Sequence, residues 1–119
     1  MKHFYRTVFI GILICFGFFP MNSFAQDTFP VGAFWPMTGP QAYYGRVMSQ
    51  GAKIGIDQLN SSGGIGNYNF DLVITDYKNV DTNLAVTGVR KMIDVDKIPV
   101  VLASFSATTL AVQPICAKK

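Results

Sequence analysis

Three short apolar runs, Phe29–Phe34, Asn69–Thr75 and Pro99–Ala103, stand one helix-length apart in the chain. That spacing limits the fold more than any other feature. Strands joined by a tight turn run antiparallel, whereas strands separated by a segment of a dozen or more residues can return in the same direction. Between the first two runs, Tyr44–Asn60 sets Val47, Gly51, Ile54 and Gln58 along one stripe, flanked by Met48, Gly55 and Leu59. Three-to-four spacing of this kind predicts a helix, with that stripe toward the sheet and its small residues permitting close approach. Between the second and third runs, Asp81 is an N-cap candidate for a helix through Leu84, Ala85, Gly88, Val89, Met92 and Ile93. Pro30 is expected at the very start of the first strand, because it has no N–H to give a ladder. A further helix is expected to open within Ser104–Thr109. The order β-α-β-α-β-α predicts an α/β fold, a parallel βαβαβ unit of doubly wound type with right-handed crossovers.

The first 25 residues read as something other than fold. Lys2 and Arg6 precede an apolar run, Val8–Phe19, and Ser23-Phe24-Ala25 supplies small residues for cleavage. This is the pattern of a secretory signal peptide over residues 1–25, with residues 26–119 as the mature chain. The apolar run is shorter than the roughly 20 residues a membrane-spanning helix needs. Cys15 lacks the small residues that precede a lipid-modified cysteine. Losing Lys2 and Arg6 lowers the formal charge from +3 to +1, so no basic stripe speaks for nucleic acid. All seven acidic residues are Asp, the single histidine is His3, and Cys116 is the one cysteine beyond residue 25. A chain so made is not expected to be an enzyme, to bind a metal or cofactor, or to form an internal disulfide.

Two motifs mark possible binding chemistry. Gly64-Ile65-Gly66 follows a helix and precedes a strand, the reverse of a dinucleotide loop, and reads as a helix stop and turn. Ser104-Phe105-Ser106-Ala107-Thr108-Thr109 instead lies after a strand and at a helix N-terminus. Free N–H groups and hydroxyls there suit a carboxylate; ordinary capping by Ser106 or Thr108 explains the same residues. No histidine is at hand to activate Ser104 or Ser106 as a nucleophile. Tyr43 and Tyr44, beside the first strand–helix junction, suit either an apolar wall with a hydroxyl tip or plain packing. Asp76, Lys78 and Asp81 read as a solvated loop and a cap.

Taken in order, Met37-Thr38-Gly39-Pro40, Tyr44-Gly45, Gly51-Ala52, Asp57-Gln58-Leu59-Asn60, Gly63-Gly64, Asp76, Asp81 and the serine-rich turn form a connected pattern. It resembles the amino-terminal part of periplasmic branched-chain amino-acid-binding proteins, and it covers essentially all of residues 26–119. The resemblance implies the first part of lobe 1 of a type I periplasmic binding protein. It also implies the extracytoplasmic solute-binding component of an ABC importer, working with a membrane permease and holding a small-molecule ligand. In the family, hydroxyls and N–H groups of the serine-rich turn hold the ligand's carboxylate. Carried over, Ser104, Ser106, Ala107 and Thr108 are the candidates, with Tyr44 lining the side-chain pocket. Ala107 stands where some members have a carboxylate-binding serine, so Ser106 or Thr108 would serve instead. Ala103 replaces a glycine, and Val80 and Ser106 stand where some members carry a cysteine pair. These departures weaken the case for a branched-chain ligand and leave an amino acid or related carboxylate. The family's chains are two to three times longer and include a second lobe, so a truncated chain is expected. A sensor-domain fragment of a receptor, or an inactive truncated product, are the alternatives.

Overall fold

The computed structural model describes residues 26–118, so the signal-peptide segment lies outside the described residues. Strand β1 is Asp27–Trp35, helix α1 Ala42–Ser61, strand β2 Tyr68–Asp76 and helix α2 Thr82–Arg90. The α2 helix runs on into a wider π turn, Lys91–Val95, before strand β3, Val100–Leu102, and helix α3, Ser106–Cys116. The strands form one sheet in the order β2-β1-β3, and both pairings are parallel. The α/β architecture expected from the spacing of the apolar runs is the one observed.

The alternation along β2 shows helices on both faces. Phe70, Leu72 and Ile74 line a groove with Ser49, Ile56 and Asn60 of α1. Thr75 points the other way, so that a Cβ on Gly88 of α2 would lie 2.5 Å from its methyl group. On that second face Phe34, Tyr77, Ala85, Val89 and Val112 form the buried core, with Val101 and Ile93 packed at its margin. The carboxyl ends of all three strands therefore open at one edge, where the loops into α1, α2 and α3 gather.

Two expectations are corrected. Pro30 is the fourth residue of β1, which is the central strand. The Asp27 N–H donates to Asn67, and the Trp35 carbonyl accepts from Tyr77, so odd-numbered residues of β1 face β2. Pro30 faces the other side, where β3 pairing begins only at Val31, so its missing N–H breaks no ladder. The second correction concerns α1. Val47 and Ile54 are 50% and 58% exposed, and Gly51, Gly55 and Gln58 are exposed with them. The face turned to the protein is instead Ala42, Gly45, Met48, Ala52, Ile56 and Leu59, one step around the helix. Gly45 fixes that rotation: a Cβ there would fall 2.2 Å from the Pro36 carbonyl oxygen.

The α1 helix ends as the glycines predict. Gly63, Gly64 and Gly66 all have positive φ, and a Cβ on Gly64 would collide with the Tyr68 carbonyl. Asn60 then ties the helix end to β2, its side chain both donating to the Phe70 carbonyl and accepting from the Phe70 N–H.

Candidate functional site

The β1–α1 turn, the β2–α2 loop and the start of α3 meet at the carboxyl edge. Gly39, at φ 82°, reverses the first of these, and its carbonyl accepts from the Ala42 N–H at 3.1 Å to start α1. Asp76, the last residue of β2, holds this turn. Its carboxylate accepts from the Met37 N–H at 2.9 Å, the Thr38 N–H at 3.4 Å and the Thr38 hydroxyl at 2.6 Å. It also accepts from the Lys78 N–H at 2.7 Å, closing its own loop. Burial by itself would raise the Asp76 pKa. The hydrogen bonds, that of the Thr38 hydroxyl first, outweigh burial and hold the carboxyl below its usual range. Asp76 is thus a tie between two loops rather than a solvated loop residue.

The helices after β2 and β3 begin differently. Asp81 caps α2, accepting from the N–H groups of Asn83 at 2.8 Å and Leu84 at 3.1 Å, as its residue type predicts. At α3 the cap position falls to Phe105, which makes no side-chain cap bond, and the first turn holds no acidic residue. The leading N–H groups of α3 carry the positive end of the helix dipole toward the open edge.

The serine-rich turn divides into inward and outward residues. Ser104 Oγ lies 2.8 Å from the Tyr77 hydroxyl and 3.5 Å from the Phe34 carbonyl, so it is tied into the core. Tyr77 itself is fully buried. Thr108 is also fully buried, and its hydroxyl donates to the carbonyls of Ser104 at 2.6 Å and Phe105 at 3.0 Å. Both hydroxyls have partners within the protein, and Thr108 caps carbonyls rather than N–H groups. Ser106 and Ala107 are exposed, and Tyr44, 52% exposed, meets the same edge through Phe105. The Tyr44 and Phe105 ring centroids are 5.9 Å apart and nearly perpendicular, and Tyr43 packs edge-on behind Tyr44 at 5.6 Å. Of the five candidates, the structure places Tyr44, Ser106 and Ala107 exposed along the open edge, while the hydroxyls of Ser104 and Thr108 are bonded within the protein.

The sequence reading gave Asp76 the wrong role, that of a solvated loop residue, and gave Tyr77 and Phe105 no role at this edge. A signal existed for the first, since an Asp ending a strand opposite a Thr-Gly-Pro turn is a ready acceptor for that turn. None existed for Phe105, whose role depends on its backbone. Four non-glycine residues among the described ones have φ between 55° and 60°: Lys78, Val80 and Phe105 at this edge, and Lys97 ahead of β3. Non-glycine residues in that region cost on the order of 1–3 kcal/mol each and gather at functional sites. Two open grooves, of about 360 Å³ beside Ile56 and Leu72 and about 330 Å³ beside Ile98 and Cys116, are lined by other residues. The carboxyl edge is an open ledge that an anion can approach from solvent.

Comparison with known proteins gives this ledge a context. Residues 28–119 match the family described as periplasmic binding protein. The chain is 34% identical over 76 residues to the leucine-, isoleucine-, valine-, threonine-, and alanine-binding protein of Pseudomonas aeruginosa, covering 64% of this chain and 20% of that protein. It is 31% identical over 83 residues to Leu/Ile/Val-binding protein homolog 7 of Brucella abortus, covering 70% and 20%. The chain therefore spans about a fifth of the length of these curated relatives. Among solved structures, it is similar to the branched-chain amino acid transporter substrate-binding protein of Streptococcus pneumoniae, solved in complex with isoleucine. That likeness has a TM-score of 0.72 and 26% identity, over 77% of this chain and 26% of the other. A substrate-binding periplasmic protein of Ralstonia solanacearum gives a TM-score of 0.67 and 30% identity, over 73% and 25%.

Proposed function

The chain belongs to the periplasmic binding protein family, and we propose that it forms part of the first lobe of an extracytoplasmic solute-binding component of an ABC importer. The solute is an amino acid or a similar small carboxylate. The family binds solutes rather than transforming them, and its relatives here include proteins named for leucine, isoleucine and valine. Residues 1–25 act as the export signal, and a membrane permease is the partner that receives the solute.

The observation that carries this reading is the uncapped N-terminus of α3, with Ser106 and Ala107 exposed beside Tyr44. A carboxylate there accepts from the leading N–H groups and the Ser106 hydroxyl, replacing the side-chain cap that α3 lacks. Thr108 supports the turn from within, and Asp76 holds the facing turn that leads into Tyr44. In this reading the ledge is one wall of the site, and a second lobe supplies the other wall and the partner for an ammonium group. The described lobe alone then binds weakly, on the order of millimolar, because nothing closes over the ligand.

Calorimetry with three compounds of one shape tests this: L-leucine, L-leucinamide and isopentylamine. The reading predicts heat of binding for the carboxylate and none for the amide or the amine. Equal binding of all three would overturn it, as would unchanged leucine binding after Ser106→Ala. That substitution is expected to cost about 1.5–3 kcal/mol, the range for a hydrogen bond to a charged group.

A further inference from the structure

The sheet has two outer strands, β2 and β3, one on each side of β1. Backbone N–H and C=O groups of successive strand residues point alternately to the two sides. On β2 the odd-numbered residues face β1, so Tyr68, Phe70 and Leu72 turn their backbone groups outward. The chain occupies these positions in turn. Tyr68 exchanges both backbone bonds with Ile65. The Asn60 side chain takes the N–H and the C=O of Phe70, each at 2.8 Å. The Leu72 N–H donates to the Asp71 carboxylate at 2.9 Å. An unpaired strand edge is a template for another chain, and folded proteins block it. The β2 edge is blocked in this way.

The β3 edge is not. Gly32, whose backbone groups face β3, lies opposite Val101, so its bonds go to Val100 and Leu102. Val101, with Pro99 and Ala103 beside it, therefore turns its backbone groups outward, where no strand lies among the described residues. The side chains match this openness. Val100 and Leu102 are 45% and 36% exposed, on the face of the sheet opposite to Val101. On the other face, Pro99 and Val101 line the groove beside Ile98 and Cys116.

A second, antiparallel β3 fits this edge about a two-fold axis through Val101. The two Val101 residues exchange both N–H···O bonds, and each Ala103 N–H reaches the carbonyl of the other copy's Pro99. Pro99 accepts but cannot donate, so the ladder stops there. In the same register, Val100 of one copy lies opposite Leu102 of the other as a non-hydrogen-bonded pair, the kind whose side chains approach more closely. One register thus satisfies the outward donors and covers the exposed apolar side chains. An unrelated strand would satisfy the backbone alone.

We propose that the outer side of β3 is a self-association surface, at which two copies of the chain join their sheets antiparallel through Val101. Interfaces under about 1,200 Å² in total belong to weak complexes. A strand of 3 residues with its flanks falls in that class, and half-association is expected on the order of 0.1–1 mM. The proposal does not depend on the reading of the ledge.

Sedimentation equilibrium of the full chain with reductant present, and amide hydrogen exchange followed against concentration, test it. The expected result is a monomer–dimer equilibrium in which the Val101 and Ala103 amides gain protection with concentration, while the Leu72 amide, already bonded, does not change. Val101→Pro and Ala103→Pro each remove one outward N–H and take no bond from β1. Each is expected to weaken association about tenfold or more. Ala103 is exposed, so Ala103→Pro is expected to do this without lowering the melting temperature of the dilute chain. A chain that stays monomeric to about 1 mM, or association that survives both proline variants, would overturn the proposal. So would association that reductant abolishes, since that would be a Cys116 cross-link, or protection that rises at Ile74 in place of Val101.

Discussion

Helices α2 and α3 leave the same edge of one parallel sheet, a strand apart, yet begin in opposite ways. At α2 the carboxylate of Asp81 accepts from Asn83 and Leu84, so the chain satisfies its own helix end. At α3 the same place is taken by Phe105, which has no acceptor to offer, and the hydroxyls of Ser104 and Thr108 are committed elsewhere. Ser104 is held by Tyr77, and Thr108 is bonded to carbonyls. A helix end normally finds an acceptor in its own sequence, in water or in a ligand. The contrast separates a helix start that the chain caps with its own side chain from one that has no side-chain cap.

Substitutions at the two starts test that contrast. Within α3, Thr108→Val should lower stability by about 1–3 kcal/mol, since it removes a buried hydroxyl and leaves two carbonyls without it. Chemical denaturation measures this, and the carboxylate affinity of the folded fraction should stay put. Ser106→Asp should do the reverse. Its carboxylate supplies α3 with the charge that α2 already has, so the helix gains about 0.3–1 kcal/mol. Carboxylate binding should fall by roughly tenfold or more, about 1.4 kcal/mol, through competition and repulsion. At α2, Asp81→Ala should cost about 1 kcal/mol of stability and leave ligand binding unaltered. A binding loss there equal to that at Ser106 would erase the distinction between the two helix starts.

The smallest expected effect is that of pH on Asp76. Its folded pKa is lowered, so its contribution is fully present above the ordinary aspartate range and is lost as pH falls through the folded value. The stability gap between the chain and Asp76→Asn should therefore be constant near neutrality and shrink below about pH 4. Urea titrations at several pH values would show it. A gap that widened on acidification would mean that Asp76 is not held as the carboxylate.

Much of this architecture could be read from the sequence, and the exceptions share a cause. Strand order along the chain, parallel pairing, the Asp81 cap and the glycine stop after α1 all follow from local spacing and residue type. The rotation of α1 did not, because Ile54 and Ile56 offer two apolar stripes at similar helical spacing. What selects between them is the approach of Gly45 to Pro36, a tertiary contact. Pro30 was misplaced because the extent of β3 beside it decides whether its missing N–H matters. In the serine-rich turn, the residue types suggested hydroxyls near an anion but not which of them face it. The backbone of Phe105 sets that rotation, turning Thr108 inward and Ser106 outward, and a positive φ at phenylalanine has no sequence signature.

The most direct test of the open helix start is a titration of the isotopically labelled chain with acetate, reading the amide shifts of both helix starts together. The account predicts that Ser106 and Ala107 move with a single saturating midpoint while Asn83 and Leu84, already bonded to Asp81, stay still. Equal movement at both helix starts, or none at Ser106 and Ala107, would contradict it.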